Sequence, residues 1–220
     1  MAVLYKIHPD NPQSRKIEAV VDALRQGAVT LYPTDTVYAI GCDLNHKGAV
    51  QRVRQLKQLA NDKPLTFLCA SLSNIADFAH VSDPAYRIIR RLIPGPYTFL
   101  LPATKAVPRL VMNPKRKTTG IRVPDSPICL ALIEALGNPI ISTSALTLAP
   151  GAGQATKLTI TKPPLFDALE KLVDIIIDDD QTLTYDVSTI LDLSAENPVI
   201  IRQGLGWQEV MEWGINSASV

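Results

Sequence analysis

Short apolar runs of the kind that make buried strands end, four times in this chain, in residues that carry hydroxyls or positive charge. The clearest case is LYPTDTVYAIGCD, residues 31–43, where Leu31 and Tyr32 lead to Pro33 and then to Thr34, Asp35, Thr36 and Tyr38 before the chain turns apolar again. The preceding AVTLY reads as a buried strand, which puts the polar group at a strand's C-terminal end, where open α/β sheets hold their ligands. The other three groups are Thr118, Thr119 and Arg122; Ser142, Thr143 and Ser144; and Ser188 and Thr189, with Arg202 one strand later. Hydroxyls and exposed backbone N–H groups are neutral donors suited to phosphate or carboxylate oxygens, and nearby Lys and Arg supply charge. Any one group is an ordinary turn composition. Four together, with Lys57 and Lys63 bracketing a strand start, point to one anion pocket.

The remaining pattern is an irregular alternation of strands and helices. Ser14 caps an amphipathic helix with Ile17, Val20, Val21 and Leu24 on one face and Gly27 as its stop. A second helix, 47–60, carries Val50, Val53 and Leu56, and PLTFLC is the next strand. Asp83-Pro84 caps a helix that runs to Ile93, YTFLLPA and TGIRVP are strands around a basic loop, and Asp125-Ser126-Pro127 opens a helix ending at Gly137. PIISTS, a helix over 164–173, and the runs DIIID, VSTILDL and PVIIR follow, then a short helix with Trp207, Val210 and Met211 on one side. This predicts an α/β (α+β) protein with a twisted, open, mixed sheet flanked by helices and a basic concave cleft. Residues 1–206 form its single domain, and 207–220 a short C-terminal helix and tail. With 46% hydrophobic residues but only 5% aromatic ones, the core must rest on Val, Ile, Leu and Ala.

A formal charge of +1 gives no global argument for nucleic acid or membrane. Its distribution is uneven: Pro84 to Pro124 holds no acidic residue, whereas Asp167 to Glu196 holds nine against the single Lys171. Cys42, Cys69 and Cys129 lack ligand spacing and read as buried hydrophobes of a reducing compartment. No apolar run approaches ~18 residues, and the N-terminus is too polar for a signal segment, so a cytoplasmic, soluble protein is expected. His8, His46 and His80 read as surface or turn residues, and Asp178, Asp179 and Asp180 as a solvated turn rather than a divalent site. There is no P-loop, dinucleotide fingerprint or serine elbow.

YPTDTVYAIGCD is similar to the P-T-(D/E)-T-V-Y-G-L-G signature of the YrdC-like threonylcarbamoyl-AMP synthases. LKQLANDKPLTFL, IPGPYTFLLPATKAVP, TTGIRVPDSP, PIISTSA, DVSTILDL and VIIRQG then match in order, so the resemblance spans about residues 10–206. It implies a nucleotidyltransferase that makes threonylcarbamoyl-adenylate and pyrophosphate from L-threonine, bicarbonate and ATP, with Mg²⁺, for threonylcarbamoyladenosine formation in tRNA. By the same resemblance Thr36, Arg122 and Ser188 would hold threonine. Lys57, Lys63, Thr118, Ser144 and Arg202 would hold the nucleotide, with Lys57 and Ser144 at the chemistry. Thr34, Asp35, Tyr38, Ser142 and Thr189 are further pocket candidates. The implied partners are these small molecules, RNA or tRNA-modification proteins, and no membrane.

The match departs where the family carries a Lys-x-Arg and a Ser-x-Asn pair around phosphate. Here they read Lys57-Gln58-Leu59 and Ser144-Ala145-Leu146. A lost charged hydrogen bond is worth about 1.5–3 kcal/mol, which implies weakened activity or a changed substrate and resembles the YciO-like branch. Leu68 replaces a family histidine, and Ala39 a glycine. Two readings stay open: the synthase-type enzyme, and a non-catalytic module that binds nucleotide or double-stranded RNA in the same cleft. In the second, Lys115, Arg116 and Lys117 with Arg87, Arg90 and Arg91 would meet phosphates, and affinity would fall steeply with salt.

Overall fold

The computed structural model describes residues 1–57, 65–113, 115–145, 161–183 and 185–217. Its strands are β1 (Val3–Lys6), β2 (Thr30–Tyr32), β3 (Ala39–Asp43), β4 (Thr66–Leu68), β5 (Tyr97–Pro102), β6 (Thr118–Arg122), β7 (Ile140–Ser144), β8 (Ile175–Asp178), β9 (Thr189–Asp192) and β10 (Val199–Arg202). They form one ten-stranded mixed sheet in the order β1-β8-β2-β3-β7-β4-β6-β5-β9-β10. The helices are α1 (Ser14–Arg25), α2 (Lys47–Leu56), α3 (Leu72–Phe78), α4 (Asp83–Leu92), α5 (Pro127–Leu136), α6 (Lys162–Leu169) and α7 (Trp207–Glu212). Among the described residues no helix is long and apolar enough to cross a membrane.

Side chains alternate between the faces of a strand, so paired registers line up whole rows of residues across the sheet. One face is apolar from β8 to β9: Ile176, Leu31 and Ile40 lie in register, Cys42, Ile141, Phe67, Ile121, Phe99 and Leu191 lie in register two residues along β3, and all nine share one core. Val50 and Val53 of α2, Ile75 of α3, Ile89 of α4, Leu169 of α6 and Val210 of α7 belong to that core. The other face is divided. Its Tyr32, Ala39, Leu68, Ile140, Ile175 and Ile177 pack with Val20, Val21 and Leu24 of α1 and Leu132 and Leu136 of α5. Beyond them the same face carries Ser142, Thr66, Gly120, Thr98 and Arg122, which offer little apolar surface for a helix to bury. That uncovered half is a polar hollow.

Local detail differs from expectation in physically simple ways. Gln13, in an extended conformation, sits at the N-cap of α1 and its carbonyl accepts from Lys16 and Ile17, so Ser14 is already helical. Ser82, not Asp83, caps α4 by accepting from Ala85 N, the N–H that follows Pro84, which has none to offer. The helix expected over 164–173 begins at Lys162 and ends at Leu169. Three elements were not anticipated: β1, whose residues are mostly exposed at the sheet edge, β3, and α3, in which only Ile75 is buried. Met211 is 40% exposed and does not share the buried side of α7 with Val210.

Histidines and cysteines serve local structure. His46 Nδ1 accepts from Ala49 N and caps α2, His8 Nδ1 accepts from Asp10 N and Asn11 N, and all three cysteines are free and buried. Asp178 and Asp179 are not a solvated turn: Lys162 Nζ donates to both, at 2.7 and 2.5 Å.

Phe67 is the middle of the apolar row, is fully buried, and stacks on Phe78 of α3 at 4.9 Å between ring centroids. Phe67→Ala is expected to remove about 3–5 kcal/mol of stability, measured by urea denaturation with an unchanged m-value.

Candidate functional site

The polar hollow is a cleft of about 220 Å³ built from several separate segments. The loop between β2 and β3 supplies Thr34, Thr36 and Val37; β4 supplies Thr66 and Leu68; β5 Thr98; β6 Arg122; and β7 Ser142, Thr143 and Ser144. Ser188 and Val187 enter just ahead of β9, and Arg202 ends β10. Larger surface grooves exist, two of them of about 590 and 700 Å³. Neither gathers comparable donors: the first has Arg87 and Arg91 beside Trp213, and the second is lined by His80, Ser82, Ser194, Glu196 and apolar residues.

The loop holds its own shape. Thr34 Oγ1 accepts from Thr36 N at 3.1 Å and donates to the Val37 carbonyl at 2.7 Å, a side chain replacing a backbone turn partner. Arg122, only 7% exposed, donates through Nη1 to Thr36 Oγ1 at 2.9 Å and through Nη2 to Asp35 Oδ1 at 2.6 Å. Among the described residues Asp35 Oδ2 and Arg122 Nε are buried without a hydrogen-bond partner, so this ion pair leaves one atom unsatisfied on each side. Such a pair fixes geometry more than it adds stability, because desolvation offsets most of its attraction. Asp35 therefore lies behind Arg122 and holds it, rather than facing the cleft.

On the opposite wall Arg202 donates through Nε and Nη2 to the Ser188 carbonyl, at 3.0 and 2.7 Å, and through Nη2 to Ser188 Oγ at 2.9 Å. Ser188 Oγ is also 2.9 Å from Thr98 Oγ1. Burial first, and then the positive charge of Arg122, lowers the Arg202 guanidinium from its ordinary value. An anion between these two cations would relieve that repulsion. Near Ser144 the Lys57 ammonium, at the C-cap of α2, donates to the Ser144 carbonyl at 2.5 Å. Burial pulls it down to about 8.

Of the residues singled out from sequence, Thr34, Thr36, Arg122, Ser142, Ser144, Ser188 and Arg202 line this one cleft, and Lys57 reaches its rim through Ser144. Others point elsewhere. Tyr38 donates to Asp179 Oδ1 at 2.9 Å, and Thr189 to the Leu205 carbonyl at 2.8 Å. Thr118 begins β6, at the far end of the strand from Arg122, and Thr119 is buried with its hydroxyl unpartnered among the described residues, so the Thr118, Thr119 and Arg122 group is not one strand end. Lys63, Leu59 and Leu146 lie outside the described residues. Sequence reading missed Thr66 and Thr98. Their signal was a single threonine breaking the apolar runs PLTFLC and YTFLLPA, since a polar residue at alternate spacing marks a strand face that is not core.

The basic stretch does not make one surface. Arg116 pairs with Asp192 of β9, Arg91 lies 5.4 Å from the Trp213 ring centroid, and Arg122 is inside the cleft. Among the described residues no group of three His, Cys, Asp or Glu side chains is placed to hold a metal ion.

A mixed sheet whose uncovered face converges hydroxyls and guanidiniums defines an α/β protein with a polar, cationic cleft. The Sua5/YciO/YrdC family model, described as "Telomere recombination", matches residues 22–204, and the chain belongs to that family. It is 42% identical to YciO of Escherichia coli (strain K12) over 207 residues, 94% of this chain and 97% of that one. The crystal structure of E. coli YciO superposes with a TM-score of 0.84 over the same shares. A threonylcarbamoyl-AMP synthase of Vibrio vulnificus is 30% identical over 191 residues, 86% of this chain and 98% of its own length. Sua5 of P. abyssi complexed with L-threonine superposes with a TM-score of 0.83 at 27% identity, covering 96% of this chain and 60% of that one.

Two outcomes follow from this geometry. Asp35→Ala leaves the Arg122 charge buried without its counter-ion and is expected to lose about 3–5 kcal/mol of stability, measured by urea denaturation at pH 7. Lys57 supports an anion only while protonated, so pyrophosphate affinity should fall as pH rises through about 8. In calorimetric titrations Lys57→Ala should flatten that fall, and an identical pH profile in the variant would remove Lys57 from the site.

Proposed function

We propose that the chain is a nucleotidyltransferase of threonylcarbamoyl-AMP synthase type, joining L-threonine, bicarbonate and ATP into threonylcarbamoyl-adenylate and pyrophosphate. The observation that carries the reading is the convergence of Arg122, Arg202 and the Lys57–Ser144 pair on one hydroxyl-lined cleft. Family membership, the V. vulnificus synthase and the threonine complex of P. abyssi Sua5 support it.

In this reading threonine's carboxylate meets Arg122 and Thr36, with Asp35 holding the guanidinium from behind. Ser188, fixed by Arg202 and Thr98, completes that side. Bicarbonate loses water to deliver CO₂ to the threonine amine, which gives up a proton and becomes a carbamate; a carbamate oxygen then attacks the α-phosphorus of ATP while the bond to pyrophosphate breaks. Such a displacement needs alignment and charge neutralisation more than a covalent nucleophile, which suits a site of Arg, Lys, Ser and Thr. A volume of about 220 Å³ suits an amino acid and one phosphate rather than a whole nucleotide, whose remainder would extend past Ser144 and Lys57. Mg²⁺ would enter on the phosphate oxygens of ATP, since few protein carboxylates are needed for an ion bound that way.

Leu68, 3% exposed and packed beneath α5, borders the cleft where a polar reader of the substrate could stand. It supports a weaker or shifted amino-acid preference. Binding of double-stranded RNA draws less support, because Arg116 is paired and Arg87 and Arg91 flank a separate groove.

Purified protein should release pyrophosphate only with threonine, bicarbonate and Mg²⁺-ATP all present, and Arg122→Ala and Lys57→Ala should each lower the rate about tenfold or more. No release above background, together with no calorimetric signal for ATP, would sink the proposal.

A further inference from the structure

Tyr32, the last residue of β2, lies on the side of the sheet covered by α1 and α5 and is fully buried there. Its hydroxyl nevertheless donates, at 2.7 Å, to Oγ of Ser142, which lines the cleft. Strand β3 stands between β2 and β7, and the phenol crosses it at Gly41. A Cβ on Gly41 would come within 2.7 Å of the Tyr32 oxygen and of the Ile141 carbonyl, so glycine's missing side chain is what opens the passage. Burial raises the Tyr32 phenol well above its ordinary value, so it keeps the proton it donates.

A serine hydroxyl has one proton and two lone pairs. Tyr32 occupies one lone pair of Ser142, and among the described residues this is the only side-chain hydrogen bond Ser142 makes. The serine proton is thus left over, on a side chain only 4% exposed, in a cleft that also holds Arg122 and Arg202. Beside two cations the partner such a proton meets is an anionic oxygen.

We infer that Tyr32 is a positioning residue: through the gap at Gly41 it orients Ser142 to donate to a carboxylate, carbamate or phosphate oxygen of the cleft's ligand. The inference rests on the cleft being an anion site, as proposed above, but not on the reaction carried out there. Tyr32 touches no ligand; it acts only through Ser142.

The test is calorimetric titration of wild type, Tyr32→Phe, Ser142→Ala and the double variant with ATP, L-threonine and inorganic phosphate in turn, with the thermal midpoint of each protein. For a probe that binds wild type, each single variant should bind about tenfold more weakly, and the double variant no more weakly than Ser142→Ala. Ser142→Ala strands a buried phenol and can lower the thermal midpoint by itself. The double variant removes both halves of the bond and serves as the measurement if that single variant does not fold. Unchanged affinity in the variants, or losses that add, overturns the inference. If ATP or threonine binds wild type and every variant equally, the inference fails and the synthase proposal stands. If only phosphate binds, with the Tyr32 and Ser142 dependence, the inference stands and the synthase proposal falls. Binding of none of the three to wild type ends both.

Discussion

The structure depends on the strict alternation of side chains across one mixed sheet. Because the apolar row through Ile141, Phe67 and Ile121 faces one way throughout, it collects helices on that face and makes the main core. Because the opposite row turns from Ile140 and Leu68 to Ser142, Thr66 and Arg122, helices α1 and α5 cover only half of it. A hollow is what remains when hydrophobic burial has no apolar surface left to use. The cleft is thus a consequence of patterning along the strands and needs no separate domain to enclose it.

Within the hollow, rigidity comes from polar groups that fix one another. Asp35 and Thr36 hold Arg122, Ser188 and Thr98 are tied to Arg202, and the Ser144 carbonyl accepts from Lys57. Each cation is held by a neighbouring oxygen before any ligand arrives. This is preorganisation: the entropy of ordering these side chains is lost on folding rather than on binding. Its cost is visible in the buried atoms of the Arg122 and Asp35 pair that have no partner among the described residues.

Much of this was legible in the sequence, and the failures have physical causes. The hydroxyl groups at Thr34, Thr36, Ser142, Ser144 and Ser188 could be read because they interrupt strongly apolar runs. Thr118 and Asp35 could not be sorted from them, since neighbours in sequence alternate in direction and a strand's two ends lie on different sides of the molecule. Tyr38 reads as a pocket residue by adjacency, yet its hydroxyl goes to Asp179, 141 positions away. Asp178 and Asp179 read as solvent-facing until Lys162, at the start of α6, is found between them.

The sequence by itself determined that strands and helices alternate, which faces are apolar, and which residue types an anion would meet, because these follow from local periodicity and side-chain chemistry. Only the tertiary structure decided that β4, β5, β6, β7 and β10 share one face, that Asp35 lies behind Arg122, and that Tyr32 reaches Ser142 across Gly41. Those relations join residues far apart in the chain through register and packing. The pattern along each strand says which of its faces is buried, but which distant strand it pairs with is settled only when the whole sheet assembles.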